Sequence, residues 1–132
     1  MLDFMQTIDE RALEYSKAGP CRTLLEESGH HAIAPTILAV GGVVYMWEGV
    51  GELWLMVSPS GRKCKKALWK FMSDFCEDCM GQYKFHRIQA SVVVGHRDSL
   101  RTMLHLGFIP EGMMAHYGPN RENYIRYVRL RG

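Results

Sequence analysis

No stretch of this chain approaches the roughly 20 consecutive apolar residues needed to cross a bilayer, so a membrane-spanning helix is not expected. The opening Met1-Leu2-Asp3-Phe4 lacks the basic and apolar regions of a secretory leader. Export by those routes is not expected, and a reducing, cytoplasmic (bacterial) setting is the default. An excess of one charge is missing as well. Sixteen Lys and Arg against fourteen Asp and Glu leave a net charge of +2, too little to argue for nucleic acid as a main partner. Repeats, linkers and low-complexity tracts are absent from the sequence. What remains, 132 residues at 47% hydrophobic and 23% charged, is expected to fold as one domain, 1–132, around a single core.

Cysteine is sparse: Cys21, Cys64, Cys76 and Cys79. Cys76-Glu77-Asp78-Cys79 has the gap of a zinc knuckle with His86 nearby, yet no second pair stands at matching spacing. Both cysteines fall on the apolar side of a helical pattern, where a free cysteine packs as a small hydrophobe. Core packing is the expectation, and no metal is assigned.

The chain is organised around Val57-Ser58-Pro59-Ser60-Gly61-Arg62-Lys63-Cys64-Lys65-Lys66-Ala67. An apolar run, Leu53 to Val57, enters it through a turn, and an amphipathic pattern leaves it. Ala67, Leu68, Phe71, Met72, Phe75, Cys76 and Cys79 recur at helical spacing, which predicts a helix ending near Met80-Gly81. The first turns carry Arg62, Lys63, Lys65, Lys66 and Lys70 with no acid, while Asp74, Glu77 and Asp78 crowd the far end. That polarity opposes the helix dipole, which favours acids at the N-terminus by about 0.3–1 kcal/mol each. Cations gathered where the backbone presents bare N–H groups make an anion site, most simply for a phosphate-bearing ligand. A solvated lysine-rich face is the bland alternative.

Around this stretch, Met5 to Lys17 is weakly helical, with Thr7 or Asp9 as a cap and Gly19-Pro20 as the stop. Cys21 to Leu25 reads as a short helix or an early strand, with the turn-like Glu26 to Gly29 favouring the strand. His30 and His31 sit together in an expected loop without a role. Thr36–Val40 and Val43–Trp47 are strand runs around Gly41-Gly42, a turn or a bulge within one long strand. A hairpin loop over Glu48 to Gly51 leads to a central strand, Glu52–Val57. His86–Val94 alternates as a strand. A short helix follows, with Asp98 or His96 as cap, Leu100, Met103, Leu104 and Leu106 inside, and Gly107 at its C-terminal end. Phe108 to about Tyr117 and Tyr124 to Leu130 are the closing strands, joined by a turn at Gly118-Pro119-Asn120.

This order and its motifs resemble the GNAT (Gcn5-related N-acetyltransferase) superfamily over roughly residues 36–130. The family's turn reads V-x-P-x-x-[QR]-x-x-G-x-[GA]; Val57, Pro59, Arg62 and Ala67 match it, and Lys65 stands at the central glycine. The resemblance implies an α+β fold, a mixed and mostly antiparallel sheet with helices on both sides, here with a shortened N-terminus. It implies that Arg62, Lys63, Cys64, Lys65, Lys66 and Ala67 hold the pyrophosphate of acetyl-CoA, and that the backbone of Met56 and Val57 pairs with the pantetheine arm. A lysine in place of the glycine either reaches out as a point charge or blocks the groove.

The family's second motif, N-x-x-[AS]-x-x-x-[YF]-x-x-x-G-F, falls on His96, Ser99, Met103, Gly107 and Phe108. Ser99 keeps the pattern and is implied to lie along the cofactor. Met103 replaces the tyrosine that protonates the departing thiolate. His96 replaces the pantetheine-binding asparagine and is either a titrating group or a helix cap. Glu52 is the acid on the strand before the turn, where the family carries the base that deprotonates the acceptor amine. Sharing a face with Trp54 and Met56, it would have an apolar setting that favours holding a proton; an exposed strand start beside Gly51 is the alternative. Tyr45, Trp47, Trp54, Tyr117 and Tyr124 either line a substrate cleft or fill a core. Cys64 is not needed as a nucleophile, although basic neighbours favour a thiolate. The implied function is acetyl-CoA-dependent N-acetyl transfer to an amine on a small molecule or protein. The alternative, from a weaker resemblance to GNAT-like internal virion proteins of phages, is a non-catalytic phage protein with a virion or host-interaction role and phage or host proteins as partners.

Overall fold

The computed structural model describes residues 17–26 and 35–131. The expected first helix and the paired His30 and His31 lie outside them. Six strands form one sheet in the order β1-β2-β3-β4-β6-β5: β1 (Cys21–Glu26), β2 (Thr36–Trp47), β3 (Val50–Val57), β4 (Arg87–Val93), β5 (Ile109–Met114) and β6 (Tyr124–Leu130). Every neighbouring pair is antiparallel except β3 and β4. The parallel pair requires a crossover, supplied by α1 (Lys65–Gly81). Between β4 and β5 lies α2 (Arg97–His105). The sheet is therefore the mixed, mostly antiparallel one that the sequence predicts.

Gly41 and Gly42 do not break the chain; both lie inside the twelve-residue β2, and the irregularity falls instead between Tyr45 and Trp47. The hairpin loop shrinks to Glu48-Gly49. Gly49 has φ +79°, and a Cβ there would lie 2.2 Å from the His86 ring, so both backbone and space exclude a side chain.

One core lies between the helices and one sheet face. Leu68, Met72, Phe75, Cys76 and Cys79 of α1 meet Ala39, Val43, Leu53, Ile88 and Ala90 of the sheet, with Met103 and Leu106 from the α2 region and Phe108 and Tyr127 beyond. Cys76 and Cys79 are fully buried, as expected of small hydrophobes. Burial disfavours their thiolates and pushes the thiols up to about 11 and about 12, respectively.

Both described helices lie on one side of the sheet, joined by the Trp69 Nε1–H bond to Thr102 Oγ1 (3.2 Å) and a Trp69–His105 stack at 4.3 Å. Several expectations about single residues are corrected. Ala67 is exposed and Phe71 half-buried, since the buried stripe of α1 begins at Leu68. Leu100 and Leu104 are exposed, because only one side of α2 meets the sheet and Met103 takes it. The strand after Gly107 stops at Met114, where the chain turns before Tyr117.

Candidate active site

In a pleated strand, successive side chains alternate between faces. On β3, Leu53, Leu55 and Val57 point to the core, so Glu52, Trp54 and Met56 lie on the reverse face. On β4, Ile88, Ala90 and Val92 take the core side, and Gln89 and Ser91 share the reverse face with Glu52. The strands pair at only three steps: Val50 with Arg87, Gly51 with Ile88 and Glu52 with Gln89. Beyond that point β3 runs to Val57 and β4 to Val93 without pairing with each other, while each stays paired on its outer side, to β2 and to β6. The described strands β3 and β4 therefore part in a wedge beyond Glu52 and Gln89, and their inner edges are not paired with each other there. Backbone N–H and C=O groups on such edges need a partner, and an extended amide-bearing chain provides one.

Glu52 sits at the apex of this wedge. Its Oε2 accepts from Gln89 Nε2 at 3.0 Å and its Oε1 lies 3.4 Å from Ser91 Oγ. Both expected settings are corrected: the carboxylate is half-buried, neither at an exposed strand start nor in an apolar niche, because two polar side chains of β4 face it.

At the open end, Ser58 anchors the turn. Its N–H donates to Leu38 O at 2.9 Å, its hydroxyl donates to the same oxygen at 3.2 Å, and it accepts from Gly61 N–H at 3.1 Å. Gly61–Lys63 form a single 3-10 turn, so Arg62 and Lys63 precede the helix instead of belonging to it. Cys64 takes the N-cap position without a side-chain cap. The first hydrogen bond of α1 runs from Leu68 N–H to Cys64 O, which leaves the Lys65, Lys66 and Ala67 amides at the start of a seventeen-residue helix with no acid in its first turn. These donors and their dipole suit an anion.

The cations are less concentrated than the sequence implies. Arg62, Lys63, Lys65, Lys66 and Lys70 are all exposed. Lys70 pairs with Asp74 at 2.9 Å, one helical turn on. Lys65 reaches across to Asp98 in the first turn of α2, at 3.5 Å. Its side chain therefore links the two helix N-termini. Cys64 is half-buried.

His96 is the N-cap of α2: its Nδ1 accepts the Ser99 N–H at 3.3 Å. The capping alternative is the one seen, and it ties Ser99 to the same helix start. His96 also borders a small hollow of about 60 Å³ with Val92, Leu100, Ile125 and Tyr127. Met103 is buried in the core. A larger hollow, about 410 Å³, lies along the outer side of α1 between Lys66, Trp69, Ser73 and His105. None of the five candidate aromatics, Tyr45, Trp47, Trp54, Tyr117 and Tyr124, is fully buried in the core. Trp47 and Tyr117 are exposed, Tyr45 stacks on Phe85 at 4.9 Å, and Tyr117 meets Tyr124 edge-on at 5.3 Å.

Of the sequence-derived residues, Met56 and Val57 end β3, Lys65–Ala67 open α1 after the turn, Glu52 stands where β3 and β4 part, and His96 and Ser99 follow the end of β4. Gln89, Ser91 and Asp98 are additions. The first two were signalled by the polar half of the β4 alternation; Asp98 carried no signal beyond a possible cap.

No family model matches the chain, and no curated protein matches its sequence. Solved structures do match its shape. Ribosomal-protein-S5-alanine acetyltransferase from Vibrio fischeri superimposes with a TM-score of 0.73 at 15% identity, over 96% of this chain and 69% of that one. A chimera of Vibrio cholerae spermidine N-acetyltransferase SpeG and hSSAT gives 0.71 at 13% identity, over 98% and 78%. A GNAT-family acetyltransferase from Bacillus anthracis gives 0.64 at 17% identity, over 71% and 58%. This chain has the GNAT fold. Identities this low carry the architecture and leave the chemistry to the residues; the phage alternative gains no support from them.

Proposed function

We propose that this GNAT-fold chain is an acetyl-CoA-dependent N-acetyltransferase acting on a primary amine. The parting of β3 and β4 beyond Glu52 and Gln89, with the first three amides of α1 at its open end, carries the reading. Acetyl-CoA is here a substrate, and the residues suit its parts. The inner edge at Met56 and Val57, not paired with β4, matches the amides of the pantetheine arm. The Lys65–Ala67 amides, with Arg62, Lys63 and Lys66 around them, match the pyrophosphate.

The thioester then points towards Glu52. An acceptor ammonium gives its proton to the Glu52 carboxylate, and the freed nitrogen attacks the thioester carbonyl. The C–N bond forms and the C–S bond breaks with release of the thiolate. Met103 has no proton to offer, so the second proton on the attacking nitrogen passes through water to the thiolate, leaving the amide and the free thiol. Most of the rate enhancement then comes from holding amine and thioester together, with Glu52 adding about 100-fold or more.

Calorimetry and turnover test this directly. Acetyl-CoA is expected to bind at submillimolar concentration, and Glu52→Gln to keep that binding while transfer falls about 100-fold or more. Absence of binding would sink the proposal. A second reading, acyl-CoA binding without transfer, is favoured by one observation: the position of the family's proton donor holds a methionine buried in the core. Binding with no turnover across a panel of amines would select it.

A further inference from the structure

Glu52 ends a chain of polar contacts drawn from β3, β4 and β5, which passes over β6 on the reverse face of the sheet. Gln89, 6% exposed, donates from Nε2 to Glu52 Oε2 at 3.0 Å, while its Oε1 accepts from Arg87 Nε–H at 3.1 Å. Arg87 in turn grips both oxygens of Glu111, at 2.8 and 2.5 Å. The donor inventory fixes the direction of every link. A guanidinium has donors only and a carboxylate acceptors only. A flipped Gln89 amide would set NH₂ against Arg87 and C=O against Glu52, losing both bonds and adding two repulsions. The Arg87–Glu111 fork, planar and bidentate, resists rotation of the guanidinium itself.

We propose that Arg87 and Gln89 are positioning residues that hold the Glu52 carboxylate at the apex of the wedge, with Oε2 tethered by Gln89 and Oε1 facing Ser91 Oγ at 3.4 Å. This rests on the reading of Glu52 as the acceptor of the amine proton. Arg87 acts only through Gln89, so removing both costs no more than removing Gln89 alone.

The test is a double-variant cycle with Gln89→Met and Arg87→Met, which keep length and remove the polar links. Gln89→Met should lower kcat about tenfold, a part of the full general-base effect, with the KM for acetyl-CoA unchanged. Arg87→Met should lower kcat by less, and the double variant should match Gln89→Met. Losses that multiply would overturn the relay, and so would a rise in KM without a fall in kcat. A second readout needs no turnover. Gln89 is one of three glutamines in the chain, so its side-chain amide resonances are readily assigned in ¹⁵N-glutamine-labelled protein. Arg87→Met and Glu52→Gln should each shift them; unmoved resonances in either variant would refute the relay. Shifted resonances in a chain that transfers no acetyl group would uphold the relay as a polar link and remove only the catalytic reading.

Discussion

Replacing Gly61 by alanine tests whether the turn at the mouth of the wedge is held by contact with β2. A Cβ at Gly61 would stand 2.0 Å from Leu38 O and 2.8 Å from its carbonyl carbon. Both are backbone atoms of a paired strand, so the turn must move. Movement disturbs three hydrogen bonds: Ser58 N–H to Leu38 O, Ser58 Oγ to Leu38 O, and Gly61 N–H to Ser58 Oγ. At about 1 kcal/mol each the loss is about 3 kcal/mol, reduced by about 0.5–1 kcal/mol because alanine restricts the unfolded chain. For 132 residues the unfolding entropy is about 0.28 kcal/mol/K, so a net loss of about 2–2.5 kcal/mol lowers Tm by about 7–9 °C. Circular dichroism melts measure it. Gly81→Ala is the control: no atom lies within 4 Å of its Cβ and it sits in the last turn of α1, so it should leave Tm unchanged or raise it slightly. Gly61→Ala should also weaken acetyl-CoA binding, since the shifted turn leads into the α1 amides. A melt within about 2 °C of wild type would mean that the turn is not held by β2.

Arg62→Ala with Lys66→Ala should weaken acetyl-CoA binding by calorimetry and leave Tm unchanged or slightly higher, because both side chains are exposed and like charges at a positive dipole end are relieved; a large fall in Tm would make them structural. Among the four thiols, native protein at pH 8 should react with a thiol reagent at Cys21 and Cys64 only, with Cys76 and Cys79 labelled after unfolding, since burial holds both protonated at that pH. Fast labelling of all four would refute the packed core. The bond to Arg87 holds the Glu111 carboxyl below the usual range, and backbone N–H groups of Glu122 and Asn120 do the same for Glu122. Both contribute stability that is present above the unfolded carboxylate value and is lost as pH falls through the lower folded value. Glu111→Gln should therefore flatten the decline of Tm between about pH 5 and pH 3, and an unchanged slope would show the pair idle.

The strands and helices were legible because each carries its own period. The alternation of Ile88, Ala90 and Val92 and the stripe Leu68, Met72, Phe75, Cys79 name their core faces without help from distant residues. The position of Glu52 on the strand before the turn was legible for the same reason. Its environment was not. Gln89 lies 37 residues away, and the register that sets it opposite Glu52 depends on how a seventeen-residue crossover packs. The start of α1 was misread by a turn because a charge run has no period, and the break at Cys64 is set by Gly61 pressing against β2. The Lys65–Asp98 pair likewise joins two helix starts whose proximity follows only from the parallel pairing of β3 and β4.

Lys65 and Met103 depart from the family pattern in ways that differ physically. Met103 is absorbed by the core, where an unbranched apolar side chain packs without asking for a partner; under the proposed function the change would remove a proton donor. Lys65 is at the mouth itself. Its Cβ leans towards the helix N-terminus, as every helical Cβ does, and so limits how closely an anion approaches the amide. Its ammonium instead faces Asp98, an exposed pairing worth under about 1 kcal/mol. Under the proposed function a doubly charged pyrophosphate would outcompete that pairing, and the lysine would exchange close backbone contact for charge attraction instead of blocking the groove. Attraction at an exposed mouth is screened over about 8–10 Å at ordinary ionic strength. An acyl-CoA held this way is held more firmly in dilute buffer than in salt, whereas one held by glycine amides alone is less sensitive to salt.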